Sequence, residues 1–145
     1  MKTVNPYLNF RRETAEAFRF YGEVFGAEPQ VITFGQFGDG GAGLPEDERD
    51  LVAHAYLPLG NGHAIMASDA PPSLGLPFVE GNNVHIMIDT DDGAEARRLY
   101  ERLSQGGQVH MELAETGWAE LYANLVDRFG IRWMINYAGN KGGSA

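Results

Sequence analysis

The chain has 145 residues, of which 43% are hydrophobic, and its 20 acidic and 11 basic side chains give a net charge of -9. This apolar content is enough for a packed core, whereas the acidic balance argues against nucleic acids and anionic membrane surfaces as partners. The sequence has no cysteine, which excludes disulfides, thiol catalysis and cysteine-based zinc sites. Its polar N-terminus and its lack of a long apolar run favour a cytoplasmic protein.

The first half of the chain predicts one strand, one helix and then three strands. Strands are predicted at about 4–10, 30–37, 51–59 and 63–68, and a helix runs from an N-cap at Thr14 to a stop at Gly26. Gly60–Asn61–Gly62 predicts a tight hairpin, and residues 38–50 predict an exposed loop. Ser68 lacks the G-x-S-x-G context of a nucleophile, so Ser68 and Asp69 are expected to end a strand and cap the segment that follows.

A proline-rich segment at about 70–80 separates the first half from a second with the same order of elements. Strands are predicted at about 83–90, 108–113, 120–126 and 131–137. Asp92 and Glu95 predict a capping box at the start of a helix that ends at Gly106–Gly107. The two helices also repeat in sequence, because AEAFRFY at 15–21 matches AEARRLY at 94–100 with an offset of 94 − 15 = 79. The sequence therefore predicts two β-α-β-β-β modules.

Four segments in this order resemble a known family. They are VNPYLNF, AFRFYGEVFGAE, AHAYLPLGNGHAIMASDA and GWAELYANLVDRFGIRWMIN, and together they span nearly the whole chain. This series is similar to the PhnB-like branch of the vicinal oxygen chelate superfamily, which includes glyoxalase I, bleomycin-resistance proteins and extradiol dioxygenases.

The resemblance implies an α+β fold in which tandem βαβββ modules form a curved, open mixed sheet with helices on its outer face. A single domain is expected over residues 1–145, with module 1 at about 1–70, a linker at about 70–80 and module 2 at about 81–138. The resemblance also implies a homodimer with a ligand cavity on the concave side of the sheet.

Metal-dependent members of this superfamily hold a divalent ion at four positions, which by resemblance fall on Asn5, Met66, His85 and Met134. Only His85 is a strong ligand, because an amide oxygen binds weakly and thioethers suit soft metals. His54 and His85 could instead be joined by Asp69 or Asp89, but hydrogen-bonded imidazoles without a metal are the favoured interpretation. We therefore expect no metal and no other cofactor, with a divalent metal kept as the alternative.

Alternation along the strands predicts which side chains face the cavity. Tyr7 and Asn9 follow Asn5 at a period of two, Met87 follows His85, and Arg132 and Asn136 flank Met134. The candidate pocket consists of Asn5, Tyr7, Asn9, His54, Tyr56, Met66, His85, Met87, Trp118, Arg132, Met134 and Asn136. This aromatic and methionine-rich set with scattered polar groups is typical of a site for a small organic molecule.

The favoured function is binding of such a molecule without a metal. Alternatives are a metal-dependent glyoxalase, lyase or dioxygenase, a purely structural or interaction role, and a demethylubiquinone methyltransferase-like activity with which some relatives are labelled. No glycine-rich turn between a strand and a helix supports a methyl-donor site. Catalytic residues are not assigned by the sequence.

Overall fold

The structure, a computed structural model, describes residues 1–142. Contacts divide the chain into two compact units, one at Met1–Val79 and a second that begins at Glu80. Each unit has the element order β-α-β-β-β and contains one helix and one open four-stranded sheet. The tandem α+β architecture predicted from the sequence is thus confirmed, whereas the single-domain assignment stays a prediction.

The N-terminal unit has a mixed sheet. Its elements are β1 (Tyr7–Phe10), α1 (Thr14–Phe25), β2 (Gln30–Thr33), β3 (Val52–Gly60) and β4 (His63–Asp69). The strand order is β1-β4-β3-β2, in which β1 runs parallel to β4 and the other neighbours are antiparallel. The β3–β4 hairpin turns at Asn61, whose φ of 52° lies in the left-handed region that tight hairpin turns require.

The C-terminal unit repeats this topology. Its elements are β5 (Ile86–Asp89), α2 (Gly93–Leu103), β6 (Gln108–Ala114), β7 (Leu121–Val126) and β8 (Arg132–Tyr137). The order is β5-β8-β7-β6, and β5 runs parallel to β8. The first residues of the two helices, Thr14 and Gly93, are 93 − 14 = 79 positions apart. This offset is the one that the sequence repeat predicted.

In each unit the helix covers one face of the sheet. α1 contacts β3 and β4, and α2 contacts β7 and β8. Phe18 and Tyr21 of α1 are fully buried, as are Leu103 of α2 and Trp133 and Ile135 of β8. Burial of each such side chain contributes roughly 1.5–3 kcal/mol to folding. Because strand side chains alternate, the residues between these core positions lie on a face that the unit's own helix does not cover.

The N-terminus of α1 is capped by a residue that is distant in sequence. The predicted N-cap, Thr14, is wrong, because Thr14 is the first helical residue and Glu13 at the N-cap makes no side-chain cap hydrogen bond. Instead, the backbone N–H of Thr14 donates to Asp69 Oδ1 at 3.0 Å, and the N–H of Val52 donates to Asp69 Oδ2 at 2.8 Å. Asp69, which is 5% exposed, therefore joins α1, β3 and β4 rather than capping the linker.

The predicted capping box at α2 is correct in one half. Asp92 accepts hydrogen bonds from the N–H groups of Ala94 and Glu95 at 2.9 and 3.4 Å. The Glu95 carboxylate does not return to the Asp92 N–H, because it accepts the Thr90 hydroxyl at 2.7 Å. The Asp92 N–H donates to the Thr90 hydroxyl oxygen at 3.1 Å, so Thr90 completes the arrangement.

Three strands are shorter than the sequence predicted. β1 begins at Tyr7, directly after Pro6, which has no N–H to give to a ladder. β2 ends at Thr33, whose side chain caps the 3-10 helix Phe34–Gln36 in a capping box. β5 begins at Ile86, so residues 83–85 of the predicted strand lie outside it. Two predicted site residues, Asn5 and His85, consequently precede their strands.

A short C-terminal turn, Gly139–Lys141, is held by Lys141. Its ammonium donates to the Thr116 carbonyl at 2.8 Å and forms an ion pair with Glu115. The hydrogen bond from Lys141, and then its charge, lower the pKa of the Glu115 carboxyl. No helix among residues 1–142 has the length and apolar character needed to cross a membrane.

Candidate functional site

The helix-free face of the N-terminal sheet brings together most of the pocket residues predicted for this unit. Tyr7 of β1 is the register partner of Met66 of β4, and Met66 is in turn the partner of Tyr56 of β3. Tyr7 is 45% exposed, whereas Met66 and Tyr56 are half-buried. The three side chains form a row across the sheet, and Asn9 lies next to this row, opposite Ser68.

A hydrogen bond crosses this face above β4. The Tyr7 hydroxyl lies 3.1 Å from His54 Nδ1, and the two ring centroids are 5.7 Å apart. The tautomer of the imidazole decides which of the two groups donates. Because β4 separates β1 from β3, the pair spans the central strand and presents a phenol and an imidazole side by side. Sequence alternation assigned both residues to one face, but it could not predict this contact between non-adjacent strands.

Asn5 does not join this row as a strand residue. It precedes β1, and its side-chain amide donates to the Thr3 hydroxyl at 3.1 Å. The predicted strand position of Asn5 is therefore wrong. The reason is Pro6, after which the parallel ladder with β4 begins.

The corresponding face of the C-terminal sheet carries its own polar pair. Met87 is the partner of Met134, and Asp89 is the partner of Asn136. The Asn136 amide donates to Asp89 Oδ1 at 3.0 Å. Arg132 lies two residues before Met134 on the same strand and therefore on the same face. His85 is half-buried just before β5, so its predicted strand position is wrong.

An aromatic pair adds to this face. Trp118 is 55% exposed and contacts Tyr122 edge to face, with ring centroids 5.2 Å apart and an interplanar angle of 73°. Trp118 precedes β7, so its predicted position on a strand is wrong. Its indole therefore extends from a loop over the first part of β7.

One residue of this face escaped the sequence analysis. Asn124 is the register partner of Met134, and its Oδ1 is buried without a hydrogen-bond partner among the described residues. The same holds for Arg132 Nε and Asn136 Oδ1. Alternation from Tyr122 would have identified Asn124, because the two residues are two positions apart on β7.

The two units place equivalent positions in equivalent register. Tyr7 opposite Met66 corresponds to Met87 opposite Met134, in both cases in the parallel pair formed by the first and last strands. A methionine thus occupies the same position of the last strand in both units. Thioethers are polarizable and adapt to irregular apolar surfaces, which suits a ligand-contacting face.

The four positions that the resemblance assigns to the family's metal centre carry few of the donors that a hard divalent cation prefers. Asn5 offers one amide oxygen, Met66 and Met134 offer thioethers, and His85 offers the one imidazole. The alternative cluster also loses a member, because both carboxylate oxygens of Asp69 accept backbone N–H groups. Within residues 1–142, no group of three or more histidine, aspartate or glutamate side chains is arranged to hold a metal ion.

Comparison with known proteins agrees with this topology. Residues 3–135 match the family described as Glyoxalase/Bleomycin resistance protein/Dioxygenase superfamily. The chain is 30% identical to Protein YjdN of Escherichia coli strain K12, over 92% of this chain and 93% of that protein.

Solved structures give the same result. The crystal structure of PA1353 from Pseudomonas aeruginosa has a TM-score of 0.83 and 34% identity, with 95% of this chain and 98% of that chain covered. A PhnB protein from Bacillus cereus is described as a candidate 3-demethylubiquinone-9 3-methyltransferase. Its TM-score is 0.72 at 20% identity, with 94% of this chain and 99% of that chain covered, which shows that the two proteins share a fold. The chain therefore belongs to the Glyoxalase/Bleomycin resistance protein/Dioxygenase superfamily.

Proposed function

We propose that this protein binds a small organic molecule on the helix-free face of its N-terminal sheet, and that binding does not use the divalent metal centre of its superfamily. The ligand we expect carries an aromatic ring and a hydrogen-bonding group. The ring would contact Met66, Tyr56 and their neighbours, and the polar group would contact the Tyr7–His54 pair. This combination of apolar contacts with a few placed polar groups is typical of small-molecule sites.

The hydrogen bond between Tyr7 and His54 is the observation on which the proposal rests. The two rings are held 5.7 Å apart beside a thioether, on the face that α1 leaves uncovered. A phenol and an imidazole can each form a further hydrogen bond, so a ligand hydroxyl or carbonyl can join the pair. Tyr7 is 45% exposed, so its ring offers apolar area for contact with a ligand.

The metal-free part of the proposal is supported by donor chemistry. A site for zinc, nickel or iron in this superfamily needs several imidazole or carboxylate ligands. The four corresponding positions supply one imidazole and no carboxylate. These residues give no support to a metal-dependent glyoxalase, lyase or dioxygenase.

Tyr7→Phe is expected to weaken binding of a phenolic aromatic ligand about tenfold, because the variant keeps the ring and loses the hydroxyl that bonds His54. The measurement is isothermal titration calorimetry against a panel of hydroxylated aromatic compounds such as 2-naphthol. Tyr100→Phe is the matched control, because it removes a phenol hydroxyl from α2, the helix of the C-terminal unit, and not from the helix-free face of the N-terminal sheet. Equal affinities of wild type and Tyr7→Phe for every binding compound would contradict the proposed role of the pair.

Metal content tests the other half of the proposal. Protein purified without a histidine tag is expected to contain less than about 0.1 equivalent of zinc, nickel, iron or manganese per chain, since the donor set lacks three strong ligands. Elemental analysis by plasma mass spectrometry gives the ratio. A stoichiometric metal that survives dialysis and is lost in His85→Ala would overturn the metal-free assignment.

Two further properties are proposed from the resemblance. We infer that the protein is a homodimer, as members of this superfamily commonly are, and that it acts in the cytoplasm. Exposed apolar side chains on the edge strands support the first inference, among them Ile32 on β2 and Met111 on β6, which are 41% and 47% exposed.

A further inference from the structure

A cavity of about 320 Å³ lies in the N-terminal unit, between the β1–α1 connection and the segment that follows β4. Residues 11–13 contribute two arginines and a glutamate to its wall. The other lining residues are apolar and include Pro71, Leu76 and Phe78. Its volume is at the lower end of the range for small-molecule sites. None of the residues assigned to the open-face site lines this cavity.

Two adjacent arginines place positive charge at this cavity. The protein carries 11 basic against 20 acidic side chains, yet Arg11 and Arg12 are adjacent. Among the residues that the structure describes, neither guanidinium forms an ion pair with a carboxylate. Against the one carboxylate of the wall, that of Glu13, two guanidinium groups leave a net positive charge, which favours a ligand that carries negative charge at one end.

The contacts around the cavity identify the two guanidinium groups as the source of its positive charge. The Arg11 guanidinium lies 4.4 Å from the centroid of the Phe78 ring, a cation–π contact that orients its planar fork. The Glu13 carboxylate is turned to the main chain, where it accepts the Arg12 N–H at 2.9 Å. The first N–H of α1, at Thr14, is already bonded to Asp69. That N–H is therefore not available to an anion.

We propose that this cavity binds a small carboxylate with an apolar body. The planar guanidinium fork matches a carboxylate with two parallel hydrogen bonds. The proline, leucine and phenylalanine side chains would contact the apolar body, which gives an aromatic or branched aliphatic acid an advantage over inorganic phosphate. This site is separate from the open-face site and does not depend on it.

The test uses benzoate with the full-length protein and follows backbone amide shifts by two-dimensional NMR. Saturable shifts are expected at Arg11, Arg12 and Phe78. Benzyl alcohol, which has the same ring without the charge, is expected to bind at least tenfold more weakly, and so is inorganic phosphate. Arg12→Gln is expected to weaken benzoate binding at least tenfold, because a hydrogen bond to a charged group is lost.

Arg19→Gln is the matched control, because it removes the same charge from an exposed position of α1 that does not line the cavity. Its affinity for benzoate is expected to equal that of the wild type. The proposal would be overturned if Arg19→Gln weakened binding as much as Arg12→Gln, since overall charge would then explain the effect. It would equally be overturned if benzoate and benzyl alcohol bound alike, or if the shifts lay elsewhere in the chain.

Discussion

Replacement of Asp69 by alanine is expected to lower the free energy of unfolding by about 2–5 kcal/mol, because two buried N–H groups each lose their acceptor at a cost of about 1–3 kcal/mol. The groups belong to Thr14 and Val52, which bond the two carboxylate oxygens at 3.0 and 2.8 Å. Asp69 is 5% exposed, so water is a poor substitute for its oxygens. Urea denaturation followed by circular dichroism measures the change.

Asp39 provides a matched control for this variant. Its Oδ1 also accepts two backbone N–H groups, from Gly41 and Ala42 at 3.1 and 3.2 Å, but it lies in an exposed loop. Asp39→Ala is expected to change the free energy of unfolding by less than about 1 kcal/mol. If Asp69→Ala were no more destabilising than Asp39→Ala, Asp69 would not be the group that joins α1 to the sheet.

The second large effect is expected at Gly107, where alanine should destabilise the protein by about 2–4 kcal/mol. A Cβ atom there would overlap the carbonyl oxygen of Val126 and lie 3.0 Å from the backbone carbons of Asp127. These are backbone atoms at the start of the β6–β7 ladder, so neither neighbour can move without a shift in register. Insertion of an extra methyl group into a well-packed site typically costs about 1–3 kcal/mol, and a clash with backbone atoms is expected to lie in the upper part of this range or above it.

Gly117 is the control for steric overlap. A Cβ atom at Gly117 would meet nothing within 4 Å, and its φ is outside the left-handed region. Gly117→Ala is expected to be neutral or to stabilise the protein by about 0.4–1 kcal/mol through the unfolded chain. Thermal and urea unfolding of both variants separate the two outcomes, and a neutral Gly107→Ala would mean that β6 does not approach β7 as described.

Periodicity explains why the fold was predictable from the sequence. The order of strands and helix in each half, the Gly60–Asn61–Gly62 turn and the repeat of the two helices at an offset of 79 all follow from short sequence patterns, and each is confirmed. What failed was set by long-range contacts. The cap of α1 comes from Asp69, a residue 69 − 14 = 55 positions away from Thr14, and no local pattern indicates such a partner.

Which strand face each candidate residue occupies was predictable to the same degree, whereas the role of these residues in a site stays a prediction. Alternation correctly grouped Tyr7 with Asn9 and Met134 with Asn136, because both pairs lie within strands. It failed at Asn5 and His85, which lie one or two residues before strands that start later than expected. Two features could not be predicted from the sequence. The Tyr7–His54 contact depends on the strand order, which places β4 between β1 and β3. The cavity beside Arg12 depends on where the segment after β4 returns to the β1–α1 connection.

The parallel pairing of first and last strands also has a kinetic consequence. The β3–β4 hairpin can form from neighbouring residues, whereas β1 must wait for β4, because Tyr7 and Met66 are 66 − 7 = 59 residues apart. The equivalent separation in the C-terminal unit is 134 − 87 = 47 residues. Longer chain closure slows assembly. The strand that leaves the ribosome first in each unit is therefore the last to find its neighbour, and the row of Tyr7, Met66 and Tyr56 exists only when the N-terminal unit is complete.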